Sequence, residues 1–234
     1  MTSPGPDRAA EVADNLVAVI RRIGSACLVA GRTPGDVALV AITKTFSLAD
    51  VEHLAAAGQA VFGESRDQEG GAKAAARPDL HWHFVGRLQT NKARSVGAWA
   101  DVIQSFDRAE LAGPLARGAR EAGRPAPQVL VQVSLDGDPA RGGAAPGEVL
   151  AVAAAATAAG LSVGGVMAVA PLGSEPARAF AALRGVRDGL LADVPTAHWI
   201  SAGMSGDLEA AVAEGATHVR IGSALLGRRP PPTG

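Results

Sequence analysis

Only three of this chain's 22 basic residues are lysines, Lys44, Lys73 and Lys92; the rest are arginines. Where composition is so biased towards Arg, each Lys is informative, because an amine can lose its proton in a dry site and attack a carbonyl and a guanidinium cannot. Lys44 draws the eye first. It ends the apolar run Val37-Ala-Leu-Val-Ala-Ile-Thr-Lys44, the pattern of a strand buried on both faces. A Lys snorkelling at a strand end would read the same way. A second set of candidates is Ser201-Ala-Gly-Met-Ser-Gly206 and Gly222-Ser223-Ala-Leu-Leu-Gly227. Each combines glycine, hydroxyls and a helix start, and backbone N–H groups in such turns bind phosphate without help from lysine. Either stretch alone reads first as an ordinary N-cap turn, and it is their pairing at two corresponding positions that points to an anion site. Asp207 and Glu209 set negative charge close to this proposed anion site, or else serve the dipole of their own helix.

The elements that must position these residues alternate. A helix is expected from Asp7 to Val29, with apolar Val12, Leu16, Val19, Ile20 and Ile23 at helical spacing and Asp7 as N-cap. Strands are expected at 37–44, 60–63, 81–85, 101–105, 128–134, 163–169, 196–201 and 217–222. Helices are expected between them at 47–57, 66–76, 107–123, 146–160, 175–192 and 207–214. Eight strand–helix units in 234 residues point to one domain, a closed parallel (β/α)8 barrel with an extra N-terminal helix. An open doubly wound sheet would call for a glycine-rich fingerprint after the first strand, where Thr43-Lys44-Thr45-Phe46 stands instead. The ends, about 1–6 and 228–234, read as loose.

Bulk properties exclude several partners. Charge is nearly balanced at −1, aromatic residues are 3% with no Tyr, and neither nucleic acid nor an anionic membrane is an expected partner. Cys27 is the sole cysteine, so no internal disulfide forms. No apolar run is long enough to span a membrane, and residues 1–7 do not resemble a signal peptide, so a cytoplasmic protein is expected. A monomer is expected because no long exposed apolar helix stands out. His81 and His83 share a strand face, but without a third ligand no metal site is expected, and His83 reads as a packed residue. Gly86-Arg-Leu-Gln-Thr-Asn-Lys92 is unusually polar for a barrel loop, either a solvated helix start or part of the mouth of the site.

In a barrel the active site lies at the strand C-termini, and the loops after strands seven and eight are the usual phosphate site. An amine on strand one facing an anion site on strands seven and eight defines a carbonyl compound bearing a phosphate. Two ligand classes fit: pyridoxal phosphate, or a sugar phosphate caught by a Schiff-base aldolase.

Several motifs carry a resemblance along nearly the whole chain. They are Val40-Ala-Ile-Thr-Lys44-Thr45, Phe62-Gly-Glu-Ser-Arg66 with Gln68-Glu69, and His81-Trp-His-Phe-Val-Gly86 through Leu88-Gln89 and Asn91-Lys92. Gly165-Val-Met167, Ser201-Ala-Gly-Met-Ser205 with Asp207 and Glu209, and Val219-Arg-Ile-Gly222 complete the set. Together they resemble the YggS/PROSC family of pyridoxal phosphate homeostasis proteins, single barrels like the N-terminal domain of alanine racemase. The resemblance implies that Lys44 holds pyridoxal 5'-phosphate as an aldimine. It places Ser201, Gly203, Ser205, Gly222 and Ser223 around the phosphate, Met167 near the ring and Arg220 near the pyridine nitrogen. A permanent cation there disfavours protonation of the ring, which becomes a poor electron sink. Racemisation needs a second acid/base group, which related racemases supply as a Tyr from another domain or partner, and this chain has no Tyr. The expectation is therefore a cofactor binder in vitamin B6 and amino-acid balance, in transient contact with PLP-dependent apoenzymes; the alternative is a racemase of weak activity. The chain departs from the family pattern at Ser65, where an Asn is usual, at Arg141, where a Lys is usual, and at Ser223, where a Thr is usual. Ser65 exchanges an amide near the cofactor for a shorter hydroxyl, Arg141 keeps the charge but cannot form an imine, and Ser223 keeps the hydroxyl.

Overall fold

The strands pair in chain order, each parallel to the next, and the eighth closes on the first. The computed structural model describes residues 6–227, with side chains from residue 8 onward. The expected loose ends fall outside it, apart from Pro6, which opens a helix. The first half of the chain comprises α1 (Pro6–Val29), β1 (Ala38–Ile42), α2 (Leu48–Ala56), β2 (Val61–Glu64), α3 (Asp67–Ala76), β3 (His81–Phe84), α4 (Thr90–Gly97) and β4 (Val102–Phe106). The second comprises α5 (Ala112–Glu121), β5 (Gln128–Gln132), α6 (Val149–Ala158), β6 (Ser162–Met167), α7 (Pro176–Leu191), β7 (Trp199–Ser201), α8 (Leu208–Ala213), β8 (His218–Ile221) and α9 (Ser223–Leu226). Among the described residues no helix is long and apolar enough to cross a membrane.

Strand alternation sorts the core into two compartments. Leu39, Ala41, Phe62, Trp82, Phe84, Ile103, Val129, Val131, Ile200, Val219 and Ile221 point outward into the main apolar cluster beneath the helices. The opposite faces fill the barrel: Val102, Leu130 and Met167 form a separate cluster with Trp199 packed on it. The polar side chains of His83, Gln104, Ser201, His218 and Arg220 share that interior and are all buried. Gly165 lets β6 pass this crowded wall: its φ is +151° and a Cβ would lie 1.9 Å from the Trp199 carbonyl oxygen. Any side chain there would push β7 away.

Boundaries moved where local chemistry overrode the pattern. The polar stretch after β3 turns into helix α4, because Ala93, Val96 and Gly97 bury one face of it. The helix expected from Asp107 begins as a 3-10 turn at Ala109–Leu111 before α5. β7 starts at Trp199 and not at Thr196, because the Val194 to His198 segment is taken up by turns that include Pro195. α1 starts one residue ahead of the expected cap, with Pro6 in its first turn, where a missing N–H costs nothing.

Helix α1 lies outside the eight repeating units and braces the site end. Val12, Leu16, Val19, Ile23 and Cys27 are all buried, a stripe that contributes about 1.5–3 kcal/mol for each large aliphatic side chain. From its other residues, Arg8 and Asn15 donate to the carbonyls of Leu226 and Leu225 (2.9 and 3.0 Å). Arg22 Nη1 donates to the Ser205 carbonyl at 2.8 Å, and its Nε and Nη2 fork onto Glu209 at 2.6 and 2.7 Å. One helix thereby ties down the ends of both segments read above as anion loops.

Candidate functional site

Lys44 sits two residues beyond β1, where the chain turns sharply. The turn requires a positive φ of 71° at Thr45, unusual for a β-branched residue and held only where surroundings over-determine it. The surroundings are a buried charge cluster. Lys73 Nζ spends its three protons on the Thr43 carbonyl (2.8 Å), Glu64 Oε1 (2.7 Å) and Glu69 Oε1 (2.8 Å). Glu64 Oε1 also accepts from the Thr43 hydroxyl (2.7 Å), and Glu69 Oε1 accepts from the Thr45 N–H (2.6 Å). Residues on both sides of Lys44 are thus pinned to α3. Burial raises the pKa of Glu64, opposed by Lys73 and the Thr43 hydroxyl.

Lys44 opens into a cavity of about 320 Å³ at the C-terminal mouth of the barrel. Ile42, Phe46, Val85, Met167 and Met204 supply apolar walls, and Ser205, Gly206, Gly222 and Ser223 bring hydroxyls and glycine backbone to the far side. The first turn of α9 leaves N–H groups without intrahelical acceptors. Asp207 does not aim its charge at the cavity loop as an open anion: its Oδ1 accepts from the Met204 N–H at 2.6 Å. Glu209 is engaged by Arg22.

Arg220 reaches the cavity from below, 6% exposed. Its Nη1 donates to Ser201 Oγ (2.7 Å) and its Nη2 to the Ala168 carbonyl (2.8 Å), both neutral acceptors. Ser201 then donates to Gln104 Oε1 (2.7 Å), which leaves the Gln104 amide to donate to His83 Nδ1 (2.8 Å). The chain of donation runs from the cation across the barrel and requires a neutral His83 with its proton on Nε2. Burial, with His218 and His81 adding to it, pushes the His83 pKa down to about 3. Burial and Arg220 push His218 down to about 4, and its ring lies 4.2 Å from that of Trp199. Burial lowers Arg220 to about 10, partly offset by Asp207, so it stays charged at neutral pH. A buried cation without a carboxylate in contact is costly by several kcal/mol unless a ligand supplies an acceptor.

Six of the candidates read from the sequence, Lys44, Met167, Ser205, Arg220, Gly222 and Ser223, line this one cavity. Ser201 and Gly203 lie one layer behind it: Ser201 is the link between Arg220 and Gln104, and the Gly203 carbonyl accepts from the Arg220 N–H at 2.9 Å. Ser65 lines a neighbouring hollow with Arg66, Gln68 and Arg87. Arg141 grips the Val169 and Ala170 carbonyls (3.0 and 2.8 Å), and Val169 lines the cavity. His81 is exposed at the start of β3, the end of the barrel away from the cavity, and His83 is packed inside; no group of three metal-ligating side chains gathers among the described residues. The sequence assigned no role to Met204, Glu64 or Glu69, and although the rarity of lysine singled out Lys73, nothing placed it beside the Lys44 turn.

The chain is similar to known proteins in both sequence and fold. Residues 26–230 match the model of the alanine racemase N-terminal domain. The pyridoxal phosphate homeostasis protein of Mycobacterium leprae is 41% identical over 94% of each chain, and that of Escherichia coli 36% over 94% of this chain and 97% of its own. PipY of Synechococcus elongatus, solved with PLP bound, superimposes with a TM-score of 0.79 at 36% identity, over 92% of this chain and 100% of that one. With both the domain and full-length relatives matched, the chain belongs to the alanine racemase N-terminal domain family, among the pyridoxal phosphate homeostasis proteins.

Proposed function

We propose that this protein binds pyridoxal 5'-phosphate at the mouth of the barrel through Lys44 and serves intracellular vitamin B6 and amino-acid homeostasis. The observation that carries this reading is the meeting in one cavity of an amine, a buried cation and two Ser/Gly turns on the opposite wall. The donor set suits the cofactor. Lys44 would capture its aldehyde, while Ser205, Ser223 and the start of α9 would hold the phosphate. Met167, Val85 and Ile42 would pack against the ring. Arg220, whose present acceptors are neutral, suits an unprotonated ring nitrogen. The bound group supplies an aldehyde and an electron-withdrawing ring. Arg220 restrains the second property, and the Ser201–Gln104–His83 chain behind it offers no carboxylate to reverse that. With no Tyr in the chain, a racemase's second proton donor of that type is missing too. Binding and delivery therefore suit the site better than turnover, in a cytoplasmic monomer of a single domain that meets PLP-dependent apoenzymes transiently.

Titration with pyridoxal phosphate, followed by visible absorption, tests the reading. The native protein should develop a saturable yellow band that Lys44→Ala lacks, and the loaded protein should activate a PLP-dependent apoenzyme. Lys44-dependent loss of an amino acid's optical rotation would favour the racemase instead.

A further inference from the structure

Beside the cofactor cavity, across the Lys44 turn, lies a second hollow of about 460 Å³ between the loops that follow β2 and β3. Its lining gathers three cations, Arg66, Arg87 and Lys92, with the amides of Gln68 and Gln89. With Asp67 and Glu69 in the same lining, the hollow carries three positive and two negative side chains, a net of +1 in a chain of net charge −1. None of these three cations forms an ion pair with a carboxylate among the described residues. Each of the two acids that share the hollow has one carboxylate oxygen engaged outside it. Asp67 Oδ1 accepts from the Ser95 hydroxyl (2.9 Å) and from Trp99 Nε1 (3.1 Å), and Glu69 Oε1 from Lys73 Nζ (2.8 Å) and the Thr45 N–H (2.6 Å).

The hollow is built into the fold. The two loops touch so closely at Gly86 that a Cβ there would lie 2.2 Å from the Ser65 carbonyl oxygen, and buried Phe84 and Leu88 line the hollow. Arg66 and Gln89, which line it, are also the N-cap residues of α3 and α4, and neither helix start has a side-chain cap. First-turn N–H groups of both helices therefore remain available at the same place as the three cations. Glu69, which lines the hollow, holds the Thr45 N–H and so joins it to the Lys44 turn.

We propose that this hollow is a binding subsite for the phosphate or carboxylate group of a small anionic metabolite, seated next to the cofactor cavity and separate from it. Its size is that of a small-molecule pocket. Arg forks, a Lys and amide donors match the oxygen array of such a group.

Trp99 supplies the readout, because its indole N–H bonds to Asp67 of the hollow. Inorganic phosphate, succinate and sodium chloride at matched ionic strength are titrated into the native protein, Lys44→Ala and Arg66→Gln/Arg87→Gln, and the Trp99 indole resonance is followed in an 15N-labelled sample. A saturable shift with phosphate or succinate, kept in Lys44→Ala and weakened about tenfold or more in the double variant, supports the subsite. Whichever ion saturates first identifies the group. A shift reproduced by chloride, no saturation with either ion, or equal affinity in a double variant with native circular dichroism overturns it. Because the signal is read in Lys44→Ala as well, the subsite and the Lys44 reading stand or fall separately.

Discussion

Replacing Lys73 by Met tests how the Lys44 turn is held. Lys73 is 6% exposed and its ammonium satisfies Glu64, Glu69 and the Thr43 carbonyl at 2.7–2.8 Å. Methionine fills similar volume but leaves Glu64, fully buried, facing only the Thr43 hydroxyl. Its Oε2 already meets no donor among the described residues. Breaking a buried ion pair from one side costs about 3–5 kcal/mol, because the remaining charge cannot regain water. Urea unfolding should therefore move its midpoint down by roughly 1 M or more, given an m-value of about 1–3 kcal/mol/M. Removing both partners, as Glu64→Leu with Lys73→Met, takes the orphaned charge away and should recover about half of the loss or more, a coupling on the order of 2 kcal/mol. The Lys73→Met turn should also bind cofactor more weakly, because Thr43 loses its anchor on α3. A single-variant cost below about 1 kcal/mol, or a double variant as unstable as the two singles summed, would refute the assignment of the cluster as the brace of Lys44.

Three further outcomes are expected. His83 and His218 are held neutral, with pKa values of about 3 and 4 against 6.5 unfolded. The unfolded chain therefore takes up protons that the native one refuses as pH falls below 6.5, and stability drops by about 2 kcal/mol per histidine by pH 5. His83→Gln should flatten the stability–pH slope by one proton between pH 6 and 5 in urea titrations, and an unchanged slope would contradict the burial argument. Arg22→Ala removes an exposed ion pair with Glu209, so stability should change by less than about 1 kcal/mol. It also frees the Ser205 carbonyl, and calorimetry should show a several-fold loss of pyridoxal phosphate affinity with the melting temperature nearly unchanged. Gly165→Ala should fail to fold or lose about 3 kcal/mol or more by denaturant titration, because its Cβ meets the Trp199 carbonyl at 1.9 Å.

Much of this architecture was legible in the residue order, and the reasons are local. The barrel followed from the eightfold succession of strand and helix, because a parallel sheet buried on both faces leaves short apolar runs separated by helices. Lys44 was legible because a charge ending an apolar run must face something other than the core. The Ser/Gly turns followed from the place of phosphate sites in this architecture. Contacts between residues far apart in sequence were not legible. Ser201 carries a hydroxyl in a phosphate-like turn, yet its place at the end of a three-residue strand buries it against Arg220 and Gln104. Nothing local distinguishes it from Ser205, four residues on. The Glu64–Lys73–Glu69 cluster looks like the ordinary charge pattern of a surface helix until β2 and the turn after β1 close over it. The polar stretch 86–92 reads as a solvated helix start or part of the mouth, and the length of α4 beyond it does not show because its buried face consists of Ala93, Val96 and Gly97, too small to give an apolar signal.

The scarcity of lysine makes the attachment site of the cofactor directly readable. The protein is loaded with pyridoxal phosphate, reduced with borohydride, digested and mapped by mass spectrometry, so that Lys44, Lys73 and Lys92 compete as attachment sites. One reduced cofactor is expected on the peptide carrying Lys44 and none on the others, since Lys73 is locked in its ion pairs and Lys92 faces the neighbouring hollow. Label spread evenly over the three, or found on Lys92 with Lys44 bare, would contradict the claim that the barrel mouth is organised around Lys44.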